Sequence, residues 1–374
     1  MIFIGQVCKK CVMDESDPNI YFDENKICNH CNYTKKQYEL LPKNEEQSKF
    51  KLDLLVKKIK SHQKSEYDSI MGLSGGVDSS YVALIAKKLD LNPLVVHFDN
   101  GWNSELAVEN IRKIVDTLGF DLETYVINWE EFKDLQRAFF LASAVDIELL
   151  TDHAITASLF KLAKDRKIKY ILSGGNIATE SGMPKAWTSR KSDFINIKDI
   201  HRKYGDLKLK TFPTMSSKNL LYNRIFNKRE VINILNSVVY KKIDAIKKLE
   251  RELDWKYYGG KHYESTFTKF YQAYYLPEKF KIDKRKTHLS SLIRNGEISR
   301  EYAIDELKLP LYEKIDFDND YNYVLKKLGF SHTEFSNIMC DPIKDHNYYK
   351  SEENYLNKYT FLKLIYNFLV NNSK

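Results

Sequence analysis

Residues 68–89 read DSIMGLSGGVDSSYVALIAKKL. The stretch up to Leu73 is short and apolar, as a buried strand should be, and from Tyr81 apolar residues recur at helical spacing. Between the two lies the turn Ser74-Gly75-Gly76-Val77-Asp78-Ser79-Ser80. A strand, a glycine turn and a helix make a natural seat for phosphate. Gly75 and Gly76 let the backbone amides approach, and the helix N-terminus adds partial positive charge. Ser74, Ser79 and Ser80 add hydroxyl donors. The lysine of the common phosphate loop is absent, and Asp78 tolerates a phosphate only with a cation between them.

The same alternation continues outward from this stretch. Strands are predicted at 67–73, 93–98, 122–127 and 168–173, with helices at 78–89, 104–118, about 130–145 and 152–166 between them. Strands separated by helices of this length predict an α/β fold with a doubly wound parallel sheet. Ligands in such sheets sit at the carboxyl ends of the strands. That places Asp99, Asn100 and Gly101, and Gly174, Gly175 and Asn176, on the same edge as the glycine turn. Glu180 follows as a candidate cation ligand or proton acceptor.

The organisation read from the chain has four parts. Residues 1–40 form a small N-terminal module, and 41–66 a linker helix with Phe50, Leu54, Leu55 and Ile59 on its packed face. Residues 67–200 form the α/β domain, and 201–374 a mainly helical region with helices such as 229–252 and 353–370. An aromatic run from Tyr257 to Tyr275 reads as a core stripe, with sugar stacking as the alternative.

The cysteines of the N-terminal module are spaced C-x2-C-x16-C-x2-C at Cys8, Cys11, Cys28 and Cys31. Two such knuckles supply four thiolates to one tetrahedral ion, so the module predicts a structural zinc ribbon. His30 reads as a bystander and Cys340 as a buried or incidental thiol. The net charge of +8 is carried by the second half of the chain, above all by residues 201–300. Such a field suits an anionic partner such as RNA or a phosphorylated metabolite, or is simply a solvated lysine-rich surface. No apolar run suits a membrane span, and the N-terminus lacks the features of a signal peptide, so a cytoplasmic location is expected.

Ser-Gly-Gly-x-Asp-Ser after a hydrophobic strand resembles the signature of the PP-loop ATP pyrophosphatases. These enzymes cleave ATP between the α- and β-phosphates, which explains the missing lysine. Longer stretches narrow the resemblance: VHFDNGWNSELAVENI (96–111), SGGNIATESGMPKAW (173–187), KDIHRKYG (198–205) and the run 257–303. With the cysteine pairs, they are similar to the bacterial N-acetyl sugar amidotransferases of O-antigen and flagellin-glycan pathways.

That resemblance implies ATP and Mg²⁺ as co-reactants beside the structural zinc. It implies adenylation of an acetamido oxygen and replacement of AMP by ammonia. Ser74, Gly75, Gly76, Asp78 and Ser79 carry over as the pyrophosphate loop, with Asp78 a Mg²⁺ contact. It also implies a separate glutaminase working with a cyclase-like subunit, because this chain shows no glutaminase signature. In the basic half, Lys261 is the candidate for neutralising the adenylate, His262 for moving a proton and Glu264 for orienting either. Lys284 and Arg285, and more weakly His201 and Arg202, are candidates for an anion pocket. The rival reading is a tRNA-modifying PP-loop enzyme, to which the basic segment would be suited. The scarcity of cysteines beyond the zinc module argues against thiolation.

Overall fold

The computed structural model describes residues 2–62, 65–257 and 264–354. Five strands form one sheet in the order β3-β2-β1-β4-β5. They are β1 (Ser69–Gly72), β2 (Pro93–Asp99), β3 (Leu122–Val126), β4 (Tyr170–Ser173) and β5 (Glu230–Asn233). Every pairing is parallel. The helices, in chain order, begin with α1 (Asn29–Glu39), α2 (Glu45–Lys60), α3 (Val77–Lys88), α4 (Glu105–Leu118) and α5 (Trp129–Leu141). There follow α6 (Leu149–Asp165), α7 (Ile177–Glu180), α8 (Phe194–Tyr204), α9 (Ser217–Ile225) and α10 (Lys242–Leu253). The last five are α11 (Thr266–Phe270), α12 (Arg285–Arg294), α13 (Arg300–Lys308), α14 (Lys314–Leu328) and α15 (His332–Cys340).

Helices cover both faces of the sheet, as the alternation required. Met71, Leu73, Tyr170 and Leu172 pack with α3, α4 and α10. Ile70, Leu94, Val96 and Ile171 pack with α6. The two-residue period of the strands assigns neighbours such as Ile70 and Met71 to opposite layers. Strand order reverses between β1 and β4, so the crevice of the fold opens at their carboxyl ends.

The sheet does not end at residue 200. Its fifth strand is Glu230–Asn233, inside the stretch 229–252 read from sequence as helical, and the helix there begins only at Lys242. β5 has four residues and one buried side chain, Ile232, so it carries almost no strand periodicity. The linker helix α2 packs through two of the four residues expected, Leu55 and Ile59, on a face turned away from the other two. Leu52, Leu55, Val56 and Ile59 meet the core, while Phe50 and Leu54 are exposed.

A second core lies beside the sheet. It joins Trp102, α5, Trp187 and the aromatic run to α14 and α15. Phe267, Phe270, Tyr271 and Tyr275 are buried there, so the run is a core stripe from Phe267 onward, whereas Tyr257 is exposed and Tyr258 and Tyr263 lie outside the described residues. Tyr271–Phe280 is wound as a wide π-helix that contains Pro277. The N-terminal module docks on the same side through Lys286 and Asp14, a buried pair 2.6 Å apart. Arg300 Nε also donates to the carbonyls of Cys8 and Cys11 at 3.2 and 3.0 Å. Among the described residues no helix is long and apolar enough to cross a membrane.

Candidate active site

The glycine turn is shaped by its neighbours. Gly75 has φ +80°, and a Cβ on it would lie 2.7 Å from the carbonyl oxygen of Ala107 at the start of α4. Only glycine meets both conditions without strain. Trp255, buried below the turn, donates its Nε1–H to the Gly75 carbonyl at 2.9 Å. Gly76 is the N-cap of α3, and its amide donates to Ser74 Oγ at 3.2 Å. Ser74 and Ser79 bring their hydroxyl oxygens to 3.1 Å. The loop after β4 closes on this turn. A Cβ at Gly174 would lie 3.2 Å from the backbone of Asp78 and Ser79.

A cavity of about 750 Å³ opens at the reversal point between β1 and β4. That volume is in the range of small-molecule and cofactor clefts. One part is apolar, lined by Val96, Leu159, Phe160 and Ile171. The rest is polar, with Ser74, Ser79, Asn100, Glu148, Asp152, Glu180, Lys191, Glu264, Lys284 and His288 in its wall.

The charges of the polar part are arranged in pairs. Lys191 Nζ sits 2.9 Å from Asp146 and 3.0 Å from Asp152. Burial disfavours the Lys191 ammonium, yet the two carboxylates outweigh it and its pKa lies above the ordinary lysine value. Partial desolvation in the cavity wall, with Glu148 and Asp146 nearby, lifts the half-exposed Asp152 carboxyl above its usual range against the pull of Lys191. Lys284 Nζ contacts Glu148 at 3.0 Å and lies over the ring of Tyr271. Gln272 donates to the same Glu148 oxygen at 3.1 Å.

Of the residues expected from sequence, Ser74, Ser79, Asn100, Gly174, Glu180, Glu264 and Lys284 reach the cavity. Asp78 stands behind it, where its Oδ1 accepts from the Tyr240 hydroxyl and from Asn176 Nδ2 at 3.4 Å. Asn176 is also the N-cap of α7. Asp99 accepts from the Gly101 amide at 2.8 Å and from Asn103, which makes it an organiser of its own loop. Gly101 packs on Trp129, and Gly175 lies against Asn233. Ser80 is fully buried, and its hydroxyl has no hydrogen-bond partner among the described residues.

Three expected residues lie elsewhere in the fold. His201 pairs with Asp134 at 2.8 Å between α5 and α8. Arg202 pairs with Asp199 on α8. Arg285 is held by Asp283 and donates to the carbonyls of Glu306, Leu307 and Leu309, closing the end of α13. A guanidinium answers orphan helix carbonyls as readily as a ligand anion, which is why the sequence misled. Lys261 and His262 lie outside the described residues, as does most of the stretch 353–370. Cys340 is exposed at the end of α15 rather than buried.

Glu148, Thr151, Asp152, Lys191, Gln272 and His288 were not singled out from sequence. Thr151 and Asp152 had a readable signal, since they occupy the first turn of the helix that leads up to β4. Gln272 and His288 had none, because only tertiary packing brings their helices to the sheet edge.

Cys8, Cys11, Cys28 and Cys31 are all buried, and their sulfurs lie within 4.8 Å of one another. Cys8 Sγ also accepts from the amides of Lys10 and Cys28 at 3.4 and 3.3 Å. Four converging thiolates backed by amide donors are the donor set that a zinc ion fits. His30 stays out of the cluster and pairs with Asp17 at 2.7 Å.

The family profile of asparagine synthase matches residues 52–175. The profile described as "LPS biosynthesis protein WbpG-like, C-terminal domain" matches residues 264–364. The chain joins a PP-loop domain to a WbpG-like C-terminal domain. It is thereby an ATP-using enzyme of the C–N ligase class. The PP-loop domain supplies the glycine turn and the apolar wall, and the WbpG-like domain supplies Glu264, Gln272, Lys284 and His288. No curated protein sequence gives a significant match. Among solved structures, the NH3-dependent NAD synthetase of Campylobacter jejuni is 17% identical, with a TM-score of 0.30 over 55% of this chain and 83% of its own. The NMN synthetase of Francisella tularensis is 12% identical, with a TM-score of 0.29 over 59% of this chain and 98% of its own.

Proposed function

We propose that the enzyme converts the acetamido group of an N-acetyl sugar into an acetamidino group in the synthesis of a surface glycan. The amide oxygen attacks the α-phosphorus of ATP, pyrophosphate leaves, and an O-adenylated imidate forms. Ammonia then adds to the activated carbon, a proton is lost, and AMP departs with the former amide oxygen. One observation supports the reading: a single cavity has the glycine turn of the PP-loop domain in one wall and residues of the WbpG-like domain in another.

In this scheme Ser74, Ser79 and the amides of the turn hold the pyrophosphate as charge develops on it. Mg²⁺, when bound, offsets phosphate charge, and Asp78 and Glu180 are the carboxylates that would hold it. The apolar wall takes the adenine. Asp152, whose carboxyl is lifted, is suited to accept the proton that ammonia loses. The cysteine cluster holds zinc in a structural role. Cys340, the one cysteine outside the cluster, is exposed at the end of α15. On this reading ammonia arrives from a separate glutaminase with its cyclase-like partner, and the reaction runs in the cytoplasm.

The test is to incubate the chain with Mg-ATP, ammonium and a panel of free and nucleotide-linked N-acetyl sugars. AMP, pyrophosphate and a sugar lighter by the difference between oxygen and NH are expected. AMP that forms only when tRNA is present would replace this reading with the tRNA-modifying one. An absence of AMP under every condition would leave a nucleotide-binding protein without turnover.

A further inference from the structure

Two residues of the cavity wall, Glu180 and Met183, flank a turn whose backbone is gripped from outside the cavity. Gly182 in that turn has φ +75°, and a Cβ on it would lie 2.8 Å from Arg294 Nη2. The same Nη2 donates to the Ser181 carbonyl at 2.6 Å and to Ser291 Oγ at 3.2 Å. The other arm of the guanidinium, Nη1, points at Cys31 Sγ at 3.9 Å. One side chain therefore touches the cysteine cluster and the active-site turn at once. A second link runs beside it. Tyr38, on the helix that begins just after Cys28, brings its hydroxyl to 2.8 Å from Ser181 Oγ and 3.1 Å from the Ser291 carbonyl.

We infer that Arg294 is a positioning residue through which the filled cysteine cluster sets the geometry of the 180–183 turn. A divalent ion held by four thiolates leaves net negative charge on the sulfurs, and that charge fixes the guanidinium by a charge-assisted contact. The fixed guanidinium in turn presents Nη2 to the Ser181 carbonyl. Without the ion the four sulfurs lose the arrangement it imposes, the Nη1 contact is lost, and the turn keeps only its bonds to Tyr38 and to Ser291 Oγ, which donates to the Ser181 carbonyl at 2.8 Å. On this account the N-terminal module shapes the cavity without contributing an atom to it. The link to catalysis rests on the proposed function, whereas the mechanical coupling does not.

The full chain is loaded with Co²⁺, whose thiolate absorption reports cluster occupancy, and amide hydrogen exchange is followed in the peptide covering residues 177–184. Removal of the metal by a chelator should speed exchange there by about tenfold or more. Arg294→Ala should do the same while keeping the cobalt–thiolate absorption, and Arg294→Lys should recover part of the protection. Tyr38→Phe, which removes one hydroxyl, should give a smaller change and guards against a misfolded Arg294 variant. In turnover, Arg294→Ala should lower kcat/KM for ATP about tenfold, because the turn it positions carries Glu180. Unchanged exchange after chelation, or in Arg294→Ala with cobalt bound, would overturn the coupling. Exchange that responds as expected in a protein that turns over no sugar would overturn the proposed function and leave the coupling standing.

Discussion

The Tyr240 hydroxyl, just after β5, donates to Asp78 Oδ1 in the first turn of α3. Tyr240 is buried, and burial first, then the Asp78 charge, hold its phenol well above the usual range. It therefore stays a donor at any working pH and holds Asp78 in place behind the glycine turn. Tyr240→Phe should lower kcat/KM for ATP by about tenfold, the value of one hydrogen bond to a charged group. Steady-state AMP formation checks this, and Asp78→Ala should abolish it.

Gly75→Ala tests the turn itself. The added carbon meets the Ala107 carbonyl at 2.7 Å and sits at φ +80°, so both sterics and backbone oppose it. A loss of about 1–3 kcal/mol in denaturant unfolding is expected, with AMP formation lost. Full activity in a well-folded Gly75→Ala protein would show that the turn does not bind pyrophosphate in this geometry.

Acid sensitivity should trace to His153 on α6. Its Nε2 accepts from the Met215 amide at 3.1 Å, so its Nδ1 carries the hydrogen toward the Lys191 carbonyl at 2.8 Å. Burial lowers its pKa from the ordinary 6.5. Between that lowered value and 6.5 the unfolded chain binds a proton that the native fold refuses, so stability falls as pH drops through this window. Below the lowered value the contribution levels off. His153→Gln, which keeps a donor and an acceptor, should flatten this part of a urea-midpoint profile against pH.

Metal removal should be felt well beyond the N-terminus. The module is tied to α12 and α13 through Lys286–Asp14 and through Arg300 on the Cys8 and Cys11 carbonyls. Chelation should lower Tm by roughly 5 °C or more, and added zinc should restore it. A Tm indifferent to chelator would mean that the cluster binds no structural metal.

What was legible in the sequence was local. β1 to β4, the glycine turn and the cysteine pairs each announce themselves within a few residues, by period, by turn chemistry or by spacing. β5 was hidden because an edge strand of four residues with one buried side chain has no period to detect. Arg285 and His201 looked like ligand contacts because charge type is visible in a sequence and its partner is not. Lys284 reached the cavity as expected, but already neutralised by Glu148. Lys191 and His288 come to the site from a loop and a helix that no local rule places there.

The late arrival of β5 limits how the protein can be dissected. A fragment cut at residue 200 would leave the outer edge of β4 bare, and such an edge invites pairing with other chains. It would also take away Tyr240 and Trp255, which steady Asp78 and the Gly75 carbonyl. The smallest self-sufficient nucleotide-binding piece must therefore run through Trp255.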